Sequence, residues 1–147
     1  GMAGTIAAIE HIAWIGREVA GNSDMSRRDA LRVAYSAIEE YERGLCRIMV
    51  KGLMEIEGVR IWGITDWEKF PQRAPTVSFT HPRKTASEIG EALAERGVFV
   101  WAGNFYALEL TETLGLEPEG VLRAGILHYN TIEEVERFLS SVRSILR

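Results

Sequence analysis

Cysteine is almost absent from this chain: Cys46 is the single example in 147 residues. One thiol excludes an internal disulfide and any metal site built from several thiolates. Histidine is scarce as well, with three residues far apart and no HxxxH spacing, so no metal centre is expected. Lysine is limited to Lys51, Lys69 and Lys84. None of these sits in the apolar surroundings that Schiff-base chemistry needs. No apolar run approaches the ~20 residues of a membrane span, and no basic segment followed by an apolar stretch suggests a signal peptide. The GxxxxGK[ST] and GxGxxG phosphate loops are missing, as is the GxSxG elbow of serine hydrolases. Nor is one sign of charge in excess. The balance of 17 basic and 21 acidic residues leaves a net charge of −4 and a pI near 5.5, with no footprint for nucleic acid or an anionic membrane.

What is present is ordinary globular material, 46% hydrophobic and 26% charged. A chain of this length buries roughly 68–70% of its unfolded surface and needs no staple to hold a core. Gly1 before Met2 reads as a tag scar. These features lead us to expect one soluble, cytoplasmic domain.

The apolar residues Ile6, Ile9, Ile12, Ala13 and Val19 recur at helical spacing over residues 3–20, and Gly21-Asn22-Ser23 ends the segment. A second helix is predicted over 27–55, capped by Ser26 or Asp24, with Leu31, Tyr35, Ile38, Tyr41, Leu45, Ile48 and Met49 on one face. Cys46 falls near that face and is expected as a buried thiol. The period then changes, predicting strands at 59–62, 76–80, 98–101 and 121–127. Between them, Thr85-Ala-Ser-Glu88 is a capping box opening a helix that runs towards Gly97, and residues 106–114 suit a short helix. Thr131-Ile-Glu-Glu134 is a second capping box, opening a terminal helix. Two helices followed by ββαβαβα predict an α/β (α+β) two-layer sandwich.

Two segments carry possible chemistry. In the first, Gly120 to Thr131, Arg123 interrupts an apolar strand, where an unpaired guanidinium is costly. It either pairs with an internal acid or faces a cleft and grips an anion such as a carboxylate, which its planar fork suits. In the second, Val100 to Ala107, Asn104 and the aromatics Phe105 and Tyr106 sit on a strand-to-helix turn, as site lining or simply as core.

These segments also carry a resemblance. The stretch Arg123-Ala-Gly-Ile-Leu-His128-Tyr-Asn130-Thr-Ile-Glu-Glu-Val-Glu is similar to the "RxSxxxYNTxEEVD" ending of cysteine desulfurases and selenocysteine lyases, fold-type-I enzymes of the class V aminotransferase group. Tyr41 to Leu45, Gly58 to Gly63 and Arg73 to Phe79 match in the same order, and Ala3 to Glu10 resembles the "AGLxAAxE" helix that follows the cofactor lysine. The resemblance implies the small-domain fold of fold-type-I enzymes. It also implies substrate binding by Arg123, which would hold the α-carboxylate of a small amino acid, and by Asn104. Trp101, Tyr106, His128 and Asn130 are further motif positions. The sequence departs from the pattern at Tyr106, which stands where the catalytic thiol would be, and at Trp101, where an arginine would be. A phenol cannot carry a persulfide, so no catalytic residue is assigned to this chain.

The family uses pyridoxal phosphate, whose Schiff-base lysine, aspartate and histidine would all lie upstream of residue 1. We therefore expect a truncated small C-terminal domain over residues 26–147, preceded at 1–25 by a connecting helix. Alone, such a chain would bind no cofactor and would be inactive. Its 3–20 helix would pack on a missing large domain or make a homodimer. The alternative is a stand-alone module that binds a small ligand or a protein partner.

Overall fold

The computed structural model describes residues 1–147. It divides into two compact units, Gly1–Glu42 and Arg43–Arg147. The first contains α1 (Met2–Ala20) and the start of α2 (Arg27–Met54), and the division falls inside α2.

Within the first unit, α1 stops at Gly21, whose φ of 62° turns the chain into the left-handed region while the amides of Gly21 and Asn22 take the carbonyls of Glu18 and Arg17. Of the two candidate caps, Ser26 is the one used: its Oγ accepts from the Asp29 amide at 3.2 Å and donates to the Asp29 carboxylate at 2.7 Å. The two helices then pass very close. A Cβ on Gly16 would stand 1.8 Å from the Ala30 carbonyl oxygen, so only glycine permits this crossing. Glu10 bridges to Arg27 at 3.1 Å.

The second unit is a four-stranded antiparallel sheet in the order β1-β2-β4-β3, formed by β1 (Arg60–Trp62), β2 (Thr76–Thr80), β3 (Trp101–Gly103) and β4 (Val121–Gly125). Because β4 is antiparallel to both β2 and β3, those two run the same way with β4 inserted between them. The helix α3 (Ala86–Ala94) makes the crossover from β2 to β3, and the short α4 (Leu108–Thr113) joins β3 to β4. Val77, Phe79, Leu122 and Ala124 point to one face of the sheet. There they form a continuous core with Ile89 and Leu93 of α3, Phe138 and Val142 of α5 (Ile132–Leu146), and Leu45, Val50 and Leu53 of α2. Phe79 meets Phe138 edge-on at 6.4 Å. This is the mixed helix-and-sheet architecture expected, with two helices preceding ββαβαβα. No helix is long and apolar enough to cross a membrane.

Both predicted capping boxes are present. Thr85 and Glu88 exchange bonds at the start of α3, and Thr131 and Glu134 do so at the start of α5. Three boundaries differ from the sequence reading. The strand predicted at 98–101 is laddered only over 101–103, opposite residues 121–123 of β4, while on its other side β4 continues its ladder with β2 through the Ile126 amide, which donates to the Pro75 carbonyl at 3.0 Å. A cavity of about 480 Å³ is lined by residues 97–100 and 124–126. The strand predicted to reach residue 127 ends at Gly125, since the Leu127 amide is taken by Asn130 Oδ1 at 2.8 Å. The helix predicted over 106–114 begins only at Leu108, because Phe105 and Tyr106 hold left-handed φ values of 57° and 62°. The predicted loop at 63–75 also contains a 3-10 turn, Phe70–Gln72, that buries Phe70.

Candidate functional site

Strand alternation sends Leu122 and Ala124 into the core and leaves Arg123 on the opposite face of the sheet. There the register forms a transverse row of one residue per strand: Trp62 faces Ser78, Ser78 faces Arg123, and Arg123 faces Trp101. No helix of the core layer covers this row, and Arg123 is half-buried with its guanidinium stacked on the Phe105 ring, 3.9 Å from Cζ to the centroid. Trp101 meets Phe105 edge-on at 6.2 Å and is 66% exposed.

Of the two roles open to Arg123, pairing with an internal acid is not the one found. It takes part in none of the ion pairs and donates no protein hydrogen bond; its contact is with the ring face. Stacking uses the flat of the guanidinium and leaves its in-plane N–H fork available to another group. A planar anion, above all a carboxylate, is the complement of that fork.

The loop after β3 presents Phe105. Its shape is set by Asn104, whose Oδ1 accepts from the Tyr106 amide at 3.2 Å and whose Nδ2 donates to Glu117 Oε1 at 3.3 Å. The same Glu117 oxygen accepts from the buried hydroxyl of Thr111 on α4. Across the loop, a Cβ on Gly120 would come 2.3 Å from the Gly103 carbonyl carbon, so this glycine lets the start of β4 pass against the end of β3. Asn104 thus holds the loop that carries Phe105, and Tyr106 projects fully into solvent.

His128 and Asn130 lie in the turn beyond β4. His128 packs its ring against Tyr129 at 5.4 Å. Asn130 closes the turn on Leu127 and donates from Nδ2 to Glu134 Oε2 at 3.1 Å, within the second capping box. The Asn-Thr-x-x-Glu stretch thus supplies bonds that cap α5. Phe105, the shelf under the guanidinium, is one of the two aromatics the sequence places on this turn, though nothing in the sequence pairs it with Arg123. The signal for it was slight: an aromatic two residues beyond a strand that pairs with the arginine strand.

Cys46 is buried in the α2 core as expected. Burial pushes its thiol above the ordinary value, partly offset by the hydrogen bond and charge of Arg73. No three His, Cys, Asp or Glu side chains gather closely enough to hold a metal ion.

The chain is similar to known proteins. The chain is 33% identical over 116 residues to the aminotransferase-like protein FGM3 of Gibberella zeae, a match covering 76% of this chain and 28% of that protein. It is 36% identical over 110 residues to probable cysteine desulfurase 2 of Mycobacterium leprae, covering 75% of this chain and 25% of that one. The apo structure of a cysteine desulfurase from Thermococcus onnurineus superposes with a TM-score of 0.72 at 29% identity, over 82% of this chain and 28% of that one. The chain thus spans about a quarter of the length of these relatives. The profile of the aminotransferase class-V family matches residues 29–138, three-quarters of the chain, including the whole sheet and both capping boxes, and the chain accordingly belongs to that family.

Proposed function

We propose that this chain is the small-domain portion of an enzyme of the cysteine desulfurase and selenocysteine lyase type, and that it contributes the arginine that grips a substrate carboxylate. The observation that carries this reading is Arg123 on an open sheet face, stacked on Phe105 and without an acid partner. A half-buried guanidinium with a free fork on a rigid strand is built for a carboxylate rather than for stability. Residues 26–147 form this domain in the proposal, and residues 1–25 form the helix that connects it to the rest of the enzyme. The α-carboxylate of an amino-acid substrate would be gripped at Arg123, with Asn104 positioning the loop beside it.

The family's cofactor, pyridoxal phosphate, supplies an electron sink when bound. The residues present here do not fit it. Lys51, Lys69 and Lys84 are all solvent-exposed, and Lys69 sits 3.8 Å from Asp66 in a surface ion pair. A Schiff-base lysine needs a desolvated pocket that none of them has. The chain alone is therefore proposed to be inactive, with the cofactor held by the part of the family's length that this chain does not span.

An absorbance titration of the 147-residue chain with pyridoxal phosphate tests this proposal. The expected result is the sum of the two separate spectra at every ratio. A saturable visible band removed by borohydride, with the label mapped to one lysine, overturns it.

A further inference from the structure

Next to the free fork of Arg123 stands an indole with nothing to do. Trp101 is the direct cross-strand neighbour of Arg123 on the same face of the sheet, which places the two Cβ atoms about 4.5–5.5 Å apart. Its one ring contact is the edge-on meeting with Phe105, and most of its surface is in water. The row offers a contrast at its other end. Trp62 is half-buried, donates from Nε1 to the Thr80 hydroxyl at 3.0 Å, and has its ring covered by the Arg60 guanidinium at 3.8 Å. That tryptophan is fully engaged by its own sheet. Trp101 is not, and it lies on the β3 edge beside a guanidinium that already uses one aromatic ring as a shelf. On the other side of Arg123 the neighbour is Ser78, which offers no apolar surface.

We infer that Trp101, with Phe105 behind it, makes this arginine selective for carboxylates that carry a flat aromatic group, such as aromatic α-amino acids, over those with short aliphatic or thiol side chains. The inference rests on the proposed carboxylate role of Arg123 and names the substrate class of that site. A carboxylate in the plane of the guanidinium leaves its substituent lying over the neighbouring strand, and on the β3 side that surface is the indole of Trp101. Offset stacking or edge-to-face contact there rewards an aromatic ring beyond its buried area. A methyl or CH2–SH group covers too little of the indole to gain the same contact.

The experiment is an NMR chemical-shift titration of the full chain with L-phenylalanine, L-cysteine and L-alanine, repeated on Trp101→Ala, Trp101→Phe and Arg123→Ala. Wild-type chain is expected to bind L-phenylalanine about three- to tenfold more tightly than the other two. Trp101→Ala is expected to abolish the preference while leaving L-alanine affinity within about twofold, and Trp101→Phe to keep part of it. Because Trp101 is 66% exposed, its truncation disturbs little packing, and far-ultraviolet circular dichroism checks that the fold is retained. No preference in the wild type, or a preference that survives Trp101→Ala, overturns the selectivity. Failure of the underlying reading looks different: the three amino acids then bind Arg123→Ala as well as wild type, or bind neither.

Discussion

Arg123 illustrates how little a stability role explains this site. Its contacts amount to one ring face, and an exposed cation–π pair contributes about 0.5–1 kcal/mol. Arg123→Ala is therefore expected to lower unfolding free energy by no more than about 1 kcal/mol, measured by urea denaturation. A loss of about 3 kcal/mol or more is the signature of a broken buried ion pair and would show that the arginine is structural. The alternatives for this residue were legible in the sequence, because an arginine among Val121, Leu122, Ala124 and Ile126 must be explained. Which alternative holds was not legible, since the nearest partners, Phe105, Trp101 and Ser78, come from two other strands and a loop. Asn130 shows the opposite case. Its place in a family signature suggests chemistry, and two of its side-chain bonds also close a turn and support a helix cap.

At the scale of elements, the capping boxes were readable almost to the residue because their physics is local. Thr85 and Glu88, like Thr131 and Glu134, need only each other and three residues of backbone. Bonds from the Thr85 amide and hydroxyl hold the Glu88 carboxyl below the ordinary carboxylate range, and bonds from the Thr131 amide and the Asn130 side chain do the same for Glu134. A carboxyl with a depressed folded-state pKa adds stability above its unfolded value, and that stability is lost as pH falls through the folded value. Unfolding midpoints in urea are thus expected to drop between about pH 5 and pH 3, and the double variant Glu88→Gln, Glu134→Gln is expected to flatten that drop. An unchanged slope in the double variant would show that other carboxylates carry it. Strand ends were read less well. The β3 ladder pairs residues 101–103 with residues 121–123 of β4, so its ends are set by register between separate segments. Likewise, nothing in the composition of residues 104–107 announces two consecutive left-handed residues that are not glycine.

For the molecule as a whole, the first helix is the outstanding feature. Only Ala13 and Gly16 of α1 are buried, while Met2 (86%), Ile6 (59%), Trp14 (54%) and Val19 (57%) remain exposed. Apolar surface of this kind marks a contact made with something else. We propose that the rest of the enzyme covers it, and that in the 147-residue chain alone it drives self-association. Sedimentation velocity at tens of micromolar is expected to show a concentration-dependent dimer, and Ile6→Glu with Trp14→Glu to return it to monomer. A clean monomer in the wild type over that range would remove the case for α1 as an interface.

The elements, their order, both helix caps, the buried thiol and membership of a family were legible from the amino acids alone, because each of these rests on periodicity, on bonds between near neighbours or on co-linear motifs. Tertiary structure alone decided the site. Strand order puts β4 between β2 and β3, and only that placement sets Ser78, Arg123 and Trp101 in one row with Phe105 beneath. A side chain's partner across a sheet is fixed by register between distant segments, and hydrogen bonds that long-range in sequence leave no mark on the residues nearby.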